Sequence, residues 1–555
     1  MGGLAGLMDG TGTIDGVPVW RVMPRTPAPM NAQEEAPLVI VGAGPVGLAL
    51  ALELGSRGRS VIVVTALDYI ARGSKAICFS KRSLEIFDRL GVGARVREKG
   101  VGWEKGKVFW KDLAEPIYEF DLLPEKGQKN PAFVNIQQYY IEEYLIEEIA
   151  KHPSIAIRWG HRVTGVRQTE DSATLSVSAT NGDYEIRADY VAACDGVRST
   201  IRKAMGLDFE GRIFEDNFLI ADVRLTRERP AERQFHFDPP WPGWSSLVHK
   251  QPDGVWRLDF QLGWNIDREA AVRPENANPF VMGMLGPGVD FEYEWLSVYT
   301  FQCRRMARFL HGRVVFLGDA AQVVSPFGAR GCNGGLQQAD NLGWKLDRVM
   351  SGAAPPSLLE SYNAEALAVA DENIKNASRS TDFMTPKTTA ARAFRDATLE
   401  LARRRPFARP FVNSGRLSAP VAYDNSPLSS LSDEFAAGPA PGAVAIDAPI
   451  RAATGEPWLL SHLGGAFSIL MFGPAAGRLE DFQRRAGDSV RVLSIGGQAE
   501  MIIDEEGLAA ERYGAQDGAV YLVRPDQHIA ARWKNPAPEL VFEALARAGG
   551  GAAGS

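Results

Sequence analysis

A short glycine-rich turn is the strongest chemical signal in the chain. The segment Gly42-Ala43-Gly44-Pro45-Val46-Gly47 follows the apolar run 38–41 and opens an apolar-periodic stretch. In a strand–turn–helix unit, the first glycine permits the tight turn, the second lets a pyrophosphate approach the backbone, and the third allows close helix packing. The helix N-terminus favours the phosphate charge. The spacing predicts a dinucleotide site, against the alternative of a structural turn, at Gly42, Gly44, Pro45, Val46 and Gly47.

The contact to the ribose of such a ligand has two candidates. In dinucleotide-binding units an acidic residue about 20 positions beyond the glycines ends the second strand and binds the ribose hydroxyls. Thr65 occupies that place here, after the β-like run 61–64, and Asp68 follows three residues later. We therefore predict that either Thr65 or Asp68 makes this contact.

Two more turns follow apolar strands. Cys194-Asp195-Gly196 comes directly after 190–193, and Gly318-Asp319-Ala320 comes directly after 314–317. A carboxylate at a strand end can accept hydrogen bonds from a sugar-like chain, and a neighbouring glycine permits close approach. The alternative for Asp319 is a helix cap. Further on, Gly331-Cys332-Asn333 opens a helix whose apolar positions recur every three or four residues.

These ordered motifs together resemble the flavoprotein aromatic hydroxylases, the family of para-hydroxybenzoate hydroxylase and phenol hydroxylase, over roughly residues 37–400. The segments Gly73-Ser74-Lys75-Ala76-Ile77-Cys78 and Asn135-Ile136-Gln137-Gln138-Tyr139-Tyr140 look most like the 3-(3-hydroxyphenyl)propionate hydroxylase branch. The resemblance implies FAD as the cofactor. It also implies FAD-binding residues in addition to the glycine turn and the two ribose candidates. These further residues are Lys75, Gln138, Val163, Asp195, Gly196, Gly318, Asp319, Pro326, Gly331, Cys332 and Asn333.

The resemblance also implies roles for these residues. Asp319 matches the acidic residue that binds the ribityl chain, Asp195-Gly196 the pair that touches FAD and the reductant, and Gln138 a flavin-side contact. Amides of 331–333 would stabilise negative charge at the N1–C2 edge of the flavin ring. The carbonyl of Pro326 would lie beside the reacting flavin carbon. Gln322, Ser325 and Ala366 stand where the family often has histidine, proline and arginine, which leaves the hydrogen bonding around the flavin open.

The implied reaction is a monooxygenation. NADPH or NADH reduces FAD, O2 gives a flavin C4a-hydroperoxide, and its distal oxygen passes to an electron-rich phenolic ring. The family binds its nicotinamide coenzyme transiently, so one dinucleotide motif suffices. The competing hypotheses are a flavoenzyme of the same fold that performs Baeyer–Villiger oxidation, epoxidation or dehydrogenation, and a non-catalytic FAD-binding protein.

Candidate substrate residues lie in the alternating β region. His236 shares the polar face of the strand 234–238, and an imidazole with its ordinary pKa near 6.5 could deprotonate a phenol. The alternative is a solvated histidine. Tyr299 is a second candidate catalytic residue. It could orient a substrate together with Arg257, Asp259 and Gln261, although an exposed sheet face explains these residues equally well.

The elements that position these residues predict an α/β fold with a FAD-binding Rossmann-like domain, a mixed β-sheet substrate domain and a C-terminal thioredoxin-like α/β domain. No cysteine follows Cys332, so the last domain cannot perform thiol–disulfide exchange and would serve packing or homodimerisation. The predicted ranges are a flexible extension 1–36, the FAD-binding domain 37–211 and 300–405, the substrate domain 212–299, a linker 406–442, the thioredoxin-like domain 443–547 and a tail 548–555.

Bulk properties exclude several function classes. The net charge is -7 over 555 residues and the basic residues are dispersed, which argues against nucleic-acid binding. The four cysteines match neither a disulfide framework nor a zinc site, so we predict no metal and a reducing environment. The chain lacks an apolar run of about 18 residues and an export signal. We therefore predict a cytoplasmic enzyme that acts on a small aromatic molecule away from membranes.

Overall fold

The structure is a computed structural model that describes residues 13–14, 17–73, 75–123, 125–226, 229–412, 419–474, 476–496 and 501–551. Its strands are β1 Thr13–Ile14, β2 Val17–Val22, β3 Gln33–Val41, β4 Val61–Thr65, β5 Tyr69–Ala71, β6 Cys78–Ser80, β7 Val101–Trp103, β8 Lys105–Trp110, β9 Tyr118–Asp121, β10 Phe133–Asn135, β11 Ile155–Trp159, β12 Arg162–Gln168, β13 Ala173–Ala179, β14 Gly182–Ala193, β15 Glu210–Leu225, β16 Arg233–Phe237, β17 Ser245–Lys250, β18 Val255–Gly263, β19 Phe291–Arg305, β20 Leu310–His311, β21 Val314–Phe316, β22 Gln322–Val323, β23 Arg451–Ala452, β24 Phe467–Phe472, β25 Val490–Gly496, β26 Ile502–Ile503, β27 Val520–Val523 and β28 Ile529–Trp533.

The helices are α1 Pro45–Gly55, α2 Lys81–Arg89, α3 Gly93–Lys99, α4 Gln138–Ile149, α5 Thr200–Ala204, α6 Arg268–Ala271, α7 Pro274–Leu285, α8 Gly331–Met350, α9 Leu358–Met384, α10 Thr389–Arg404, α11 Arg409–Val412, α12 Ala476–Ala486, α13 Leu508–Tyr513 and α14 Pro538–Ala548. Short 3-10 turns occur at Gly318–Ala320, Pro406–Ala408, Leu459–His462 and Gly487–Ser489.

The first large sheet carries the glycine turn. Its strand order is β11-β4-β3-β14-β13-β12, and β21 pairs with the far part of β14. The strands β3, β4, β11, β14 and β21 pair in parallel, as their apolar runs predict for a sheet covered on both faces. The carboxyl ends of β3, β14 and β21 therefore lie side by side. This brings the three turns that follow these strands to one edge of the sheet.

The second large sheet lies beside that edge. Its strand order is β22-β19-β15-β18-β17-β16-β8-β9, with antiparallel pairing except between β16 and β8. Alternate residues of β15 face opposite sides. Leu219, Ala221 and Val223 pack in the core that includes residues of α7, whereas Phe218 packs with Phe301 and Phe327. The second face, which carries Phe218, packs with Phe327 of the turn before α8 and with residues of α9 and α10.

A third sheet is formed by the C-terminal part of the chain. Its order is β23-β26-β25-β24-β27-β28, and residues of α12 and α14 pack in the core on one side of it. The predicted strands 467–472 and 519–523 correspond to β24 and β27. Two small sheets, β1-β2-β5 and β6-β10-β7, complete the described residues.

The structure differs from the predicted ranges in two places. Within the proposed flexible extension 1–36, β2 pairs with β5 and β3 begins at Gln33, while residues 1–12 and 15–16 lie outside the described residues, as does 552–555 of the proposed tail. The second sheet also exceeds the predicted substrate domain 212–299, since β8 and β9 come from an earlier segment and β19 continues to Arg305. Both differences reflect pairing with distant strands, which local patterns do not encode.

The described residues contain neither a candidate membrane-spanning helix nor a candidate metal-binding cluster. Within the described ranges, no helix combines the length and apolar character needed to cross a bilayer. In those ranges, no cluster of three or more His, Cys, Asp or Glu side chains is arranged to hold a metal ion. Cys78, Cys194, Cys303 and Cys332 are all unpaired thiols.

Candidate active site

The glycine turn between β3 and α1 is closed on one side and open on the other. Gly42 has φ of 110°, and a Cβ added there would lie 2.4 Å from the carbonyl oxygen of Cys194. A Cβ at Gly47 would lie 2.1 Å from the Gly42 oxygen. By contrast, no heavy atom beyond the chain neighbours lies within 4 Å of a Cβ at Gly44, which precedes α1 without a side-chain cap. The turn is thus pressed against β14 and leaves the start of α1 accessible.

The turn after β14 lies against this glycine turn. Asp195 Oδ2 accepts hydrogen bonds from the backbone N–H groups of Thr200 at 2.7 Å and Ile201 at 3.2 Å, so it caps α5. Its Oδ1 is buried, and no described residue provides it with a partner. Gly196 follows with φ of 76°. One oxygen of Asp195 therefore remains able to accept a hydrogen bond.

The turn after β21 joins α1 to α8. The Gly318 N–H donates to Gln338 Oε1 at 2.7 Å, and a Cβ at Gly335 would lie 2.6 Å from Val46 Cγ2. The Asp319 side chain is exposed and accepts no hydrogen bond from the described residues, so the predicted alternative of a helix cap has no support. Surrounding protein atoms nevertheless raise the pKa of Asp319, and Lys75 opposes the rise. An accessible but poorly hydrated carboxylate indicates the floor of a cleft.

The N-terminus of α8 lies at the same cleft. Asn333 Oδ1 accepts from the Ser80 N–H at 3.0 Å and from Ser83 Oγ at 2.6 Å, and its Nδ2 donates to the Cys78 carbonyl at 2.9 Å. These bonds tie α8 to β6 and α2. The Asn333 side chain is therefore committed to the protein, which leaves the backbone amides of this turn, the groups predicted to contact the flavin, to face a ligand.

The opposite wall comes from α4 and the segment before β6. Gln138 Oε1 accepts from the Ala76 N–H at 3.1 Å, and its Nε2 donates to Glu142 Oε1 at 2.8 Å. Burial raises the pKa of Cys332, and the carboxylates of Asp319 and Glu142 add to this rise, which places all three groups close together. Sequence reasoning missed Glu142. Its position four residues after Gln138, on the same helix face, was the available signal.

Comparison with known proteins places the chain in a family. A family profile described as "FAD binding domain" matches residues 35–377. The chain belongs to this family. A probable NADH-specific resorcinol 4-hydroxylase of Rhodococcus jostii (strain RHA1) is 33% identical over 383 residues, 68% of this chain and 71% of that protein. A 3-(3-hydroxy-phenyl)propionate/3-hydroxycinnamic acid hydroxylase of Burkholderia cenocepacia (strain HI2424) is 26% identical over 532 residues, 90% of this chain and 94% of that protein.

Solved structures agree with this assignment. The flavin-dependent monooxygenase PieE, in complex with FAD and substrate, matches with a TM-score of 0.77 and 23% identity, covering 94% of this chain and 100% of that one, which shows the fold. The anhydrotetracycline hydroxylase OxyS of Streptomyces rimosus matches with a TM-score of 0.73 and 26% identity, covering 93% and 99%. The predicted resemblance to aromatic hydroxylases is confirmed. The protein is an FAD-dependent aromatic monooxygenase that uses NAD(P)H and O2.

The residues of the cleft fit the FAD of this family. The open face of Gly44 at the start of α1 suits a pyrophosphate. The free Oδ1 of Asp195 and the unbonded carboxylate of Asp319 suit hydroxyl donors. The start of α8 carries no side-chain cap, so its first N–H groups are available to an electron-rich ring edge.

The two predicted ribose contacts, Thr65 and Asp68, have different surroundings in the structure. Asp68 forms an ion pair with Arg25, whose Nε lies 2.6 Å from Asp68 Oδ2, so its carboxylate already has a partner. Thr65 ends β4 and is buried, with its Oγ1 3.4 Å from the Leu67 N–H. The His161 N–H donates to the Thr65 carbonyl at 2.8 Å, and Val163, two residues further along, is buried. Thr65 is the better placed of the two candidates.

Glu142 gives the site a pH signature. Burial raises its pKa from 4.5 to about 7, so between these values the folded chain holds a proton that the unfolded chain releases. Stability contributed by this proton is present at low pH and is lost as pH rises through 7. Relative to the parent, flavin-free Glu142→Gln should therefore gain up to about 3 kcal/mol of stability between about pH 5 and about pH 8. Urea unfolding at both pH values measures this. Glu143→Gln, which alters a carboxylate 3.2 Å from Arg21, is the control and should show no such gain.

The second sheet corrects the predicted base. Burial lowers the pKa of His236 to about 4, so the imidazole is neutral at physiological pH. Its ring stacks on Phe109 and meets Trp241, which packs in the core that includes α7. His236 thus lies on the far side of the sheet from Phe327, the neighbour of Pro326. The prediction that His236 deprotonates a substrate is wrong in both position and pKa.

The polar face of β18, expected to be open, is largely closed. Arg257 is buried and binds Asp222 through two hydrogen bonds of 2.7 and 2.8 Å. Gln261 is also buried and accepts from Ser245 Oγ at 2.9 Å. Because Asp222 neutralises its charge, Arg257 is poorly suited to bind a substrate carboxylate. The partner residues, Asp222 and Ser245, lie on the neighbouring strands β15 and β17. The alternation of residue types along β18 does not predict them.

Tyr299 remains beside the candidate cleft. It pairs with Phe218 across β19 and β15, and 51% of its side chain is exposed. Surrounding protein raises its pKa to about 12, and the nearby Asp319 carboxylate contributes. Pro326 is exposed, and its carbonyl accepts from the Ala329 N–H at 2.9 Å. Both residues are accessible where the second sheet meets the turn before α8.

Proposed function

We propose that this enzyme hydroxylates a phenolic ring held between the cleft and the second sheet. The observation that carries the proposal is the convergence of three strand-end turns and the start of α8 on one cleft, with the face of Phe218 beside it. Relatives are named for activities on resorcinol, 3-(3-hydroxyphenyl)propionate, para-nitrophenol and anhydrotetracycline, which supports an aromatic, phenol-like substrate of one or more rings.

Each part of the cleft would hold one part of the cofactor. When bound, FAD accepts electrons from NAD(P)H and activates O2 for transfer of one oxygen atom. The turn at Gly44 would receive the pyrophosphate, and Asp319 would accept hydrogen bonds from the ribityl hydroxyls. The amides of Gly331 and Cys332 at the start of α8 would stabilise negative charge at the ring edge.

The second sheet would hold the substrate. Phe218, Phe301 and Phe327 form an apolar wall that would exclude water and pack against an aromatic ring. With a pKa of about 12, Tyr299 keeps its proton at neutral pH and can donate a hydrogen bond. Donation to a phenolate oxygen would favour loss of the substrate proton and so increase the nucleophilicity of the ring. Tyr299, the second candidate from the sequence, would thus stabilise the phenolate, which differs from the proton removal predicted for His236.

The finer architecture belongs to the same proposal. The first sheet with α1 and α8 would be a Rossmann-like FAD-binding domain, the second sheet the substrate domain, and the third sheet a thioredoxin-like domain. A cytoplasmic location and a homodimer accompany this assignment. The absence of any cysteine beyond Cys332 supports a structural task for the C-terminal part.

The test is turnover with a defined set of phenols. Protein reconstituted with FAD is given NADH or NADPH together with resorcinol, 3-(3-hydroxyphenyl)propionate or para-nitrophenol. We expect at least one phenol to accelerate coenzyme oxidation and to yield a product heavier by one oxygen atom. Benzoate serves as an aromatic control without a phenolic hydroxyl. An ester or lactone formed by insertion of oxygen beside a carbonyl, an epoxide, or oxidation without oxygen transfer would instead identify one of the competing flavin reactions, and failure to bind FAD would exclude flavin catalysis.

A further inference from the structure

The turn between β27 and β28 is buried although it joins two strands of the C-terminal sheet. Arg524, Asp526 and Gln527 each expose about 1% of their surface, and Gln527 has φ of 56°. Hairpin turns normally lie at the surface because their backbone needs water. This turn, residues 524–528, instead lies against α2, α8 and α9, which are helices of the part of the chain that contains the first sheet.

Gln527 connects the turn to α2. Its Oε1 accepts hydrogen bonds from Arg82 at 2.7 Å and from Arg89 at 2.5 Å, and the Asp526 carbonyl accepts a further bond from Arg82 at 2.7 Å. The Gln527 Nε2 donates to the carbonyls of Leu460 and Leu463, at 2.9 and 3.0 Å. One side chain therefore holds two buried arginines of α2 against the C-terminal part.

The same arginines reach α8, and the turn also reaches α9. Arg82 donates to Asp340 of α8 at 2.8 Å, and Arg89 also binds Asp340. Arg524 binds Glu365 of α9 at 2.6 and 3.0 Å. The turn thus supports the two arginines that link α2 to α8 at Asp340, about 10 Å along α8 from Asn333.

A second polar contact between α2 and α8 lies in the candidate active site. There Asn333 binds Ser83 of α2 and the Ser80 N–H, next to the amides of Gly331 and Cys332. Two helices held at two points have little freedom to rotate or slide. Loosening the distal point would alter the position of the amides at the proximal one.

We propose that the turn 524–528 is a positioning element of the flavin site, with Gln527 as its central residue. The C-terminal part would then contribute to FAD binding without touching the cofactor. This inference rests on the proposed function, because it takes the cleft at the start of α8 to be where FAD binds.

The test compares FAD affinity among full-length variants by fluorescence titration of flavin-free protein. Gln527→Ala should raise the Kd for FAD about tenfold, in line with the loss of charge-assisted hydrogen bonds, and should change the visible spectrum of bound flavin. Gln527→Glu retains an acceptor for both arginines but turns a second oxygen toward the carbonyls of Leu460 and Leu463, so it should raise the Kd by less than Gln527→Ala does. The milder Arg89→Gln should raise the Kd in the same direction by a smaller factor.

The matched control is Arg512→Ala. Arg512 joins the C-terminal part to the carbonyls of Lys126 and Gly127, away from α2 and α8. The Arg512→Ala variant should have a lower melting temperature than the parent and the same Kd for FAD. An unchanged Kd in Gln527→Ala or Arg89→Gln, or an equal rise in Arg512→Ala, would overturn the inference. If the parent itself does not bind FAD, the proposed function fails instead.

Discussion

Replacing Gly44 by valine is expected to leave the fold intact and to weaken FAD binding by at least about 100-fold, or roughly 2.7 kcal/mol. Gly44 has φ of -80° and ψ of 175°, a conformation that valine adopts readily. No heavy atom beyond the chain neighbours lies within 4 Å of its Cβ position, so the protein accommodates the side chain. The new methyl groups would occupy the space through which a pyrophosphate must approach α1. Thermal unfolding and FAD titration measure the two effects separately.

Gly42→Ala provides the contrast within the same turn. Its Cβ would lie 2.4 Å from the Cys194 carbonyl, at φ of 110°, so β3 and β14 would have to separate. We expect this variant to lose both stability and FAD affinity. If Gly44→Val bound FAD as tightly as the parent does, the phosphates would not approach the chain at this turn, and the assignment of the motif would be incorrect.

The elements around the glycine turn could be predicted because their causes are local. The apolar run 38–41, the glycine spacing and the run 61–64 each report a short-range requirement, and the structure has β3, α1 and β4 at these places. Parallel pairing followed from burial on both faces. The convergence of the three turns then followed from topology, since parallel strands present their carboxyl ends at one edge.

What failed depended on distant partners. The burial of His236 follows from Phe109 and Trp241, which come from a parallel neighbour and a loop, so its face and its pKa were mispredicted together. Ser80 and Ser83 engage the Asn333 side chain, so only the backbone amides of 331–333, which were predicted to face the flavin, are left for that role. Asp68 was one of two alternative ribose contacts, and its carboxylate pairs with Arg25 from the predicted flexible extension. Residue type indicated chemistry in each case, and only tertiary contacts decided its use.

Asp319 distinguishes a residue that binds a ligand from one that supports the fold. Its accessible carboxylate accepts no hydrogen bond from the described residues, and poor hydration caused by the surrounding protein raises its pKa. Both features mean that the folded chain gains nothing from this charge in the absence of a ligand. Asp195 differs, because one of its oxygens caps α5 while the other is free. The two acids therefore predict different consequences of truncation.

Asp319→Ala should raise the Kd for FAD at least about 30-fold, corresponding to loss of hydrogen bonds to a charged acceptor, while the free energy of unfolding of the flavin-free protein stays unchanged or rises slightly. Asp195→Ala should weaken FAD binding as well, but it should also lower the unfolding free energy by about 1 kcal/mol through loss of the α5 cap. Denaturant unfolding and FAD titration on both variants make the comparison. If Asp319→Ala lowered the unfolding free energy and kept the parental FAD affinity, Asp319 would have a structural role. A carboxylate that binds the ribityl chain must instead affect FAD binding and not folding.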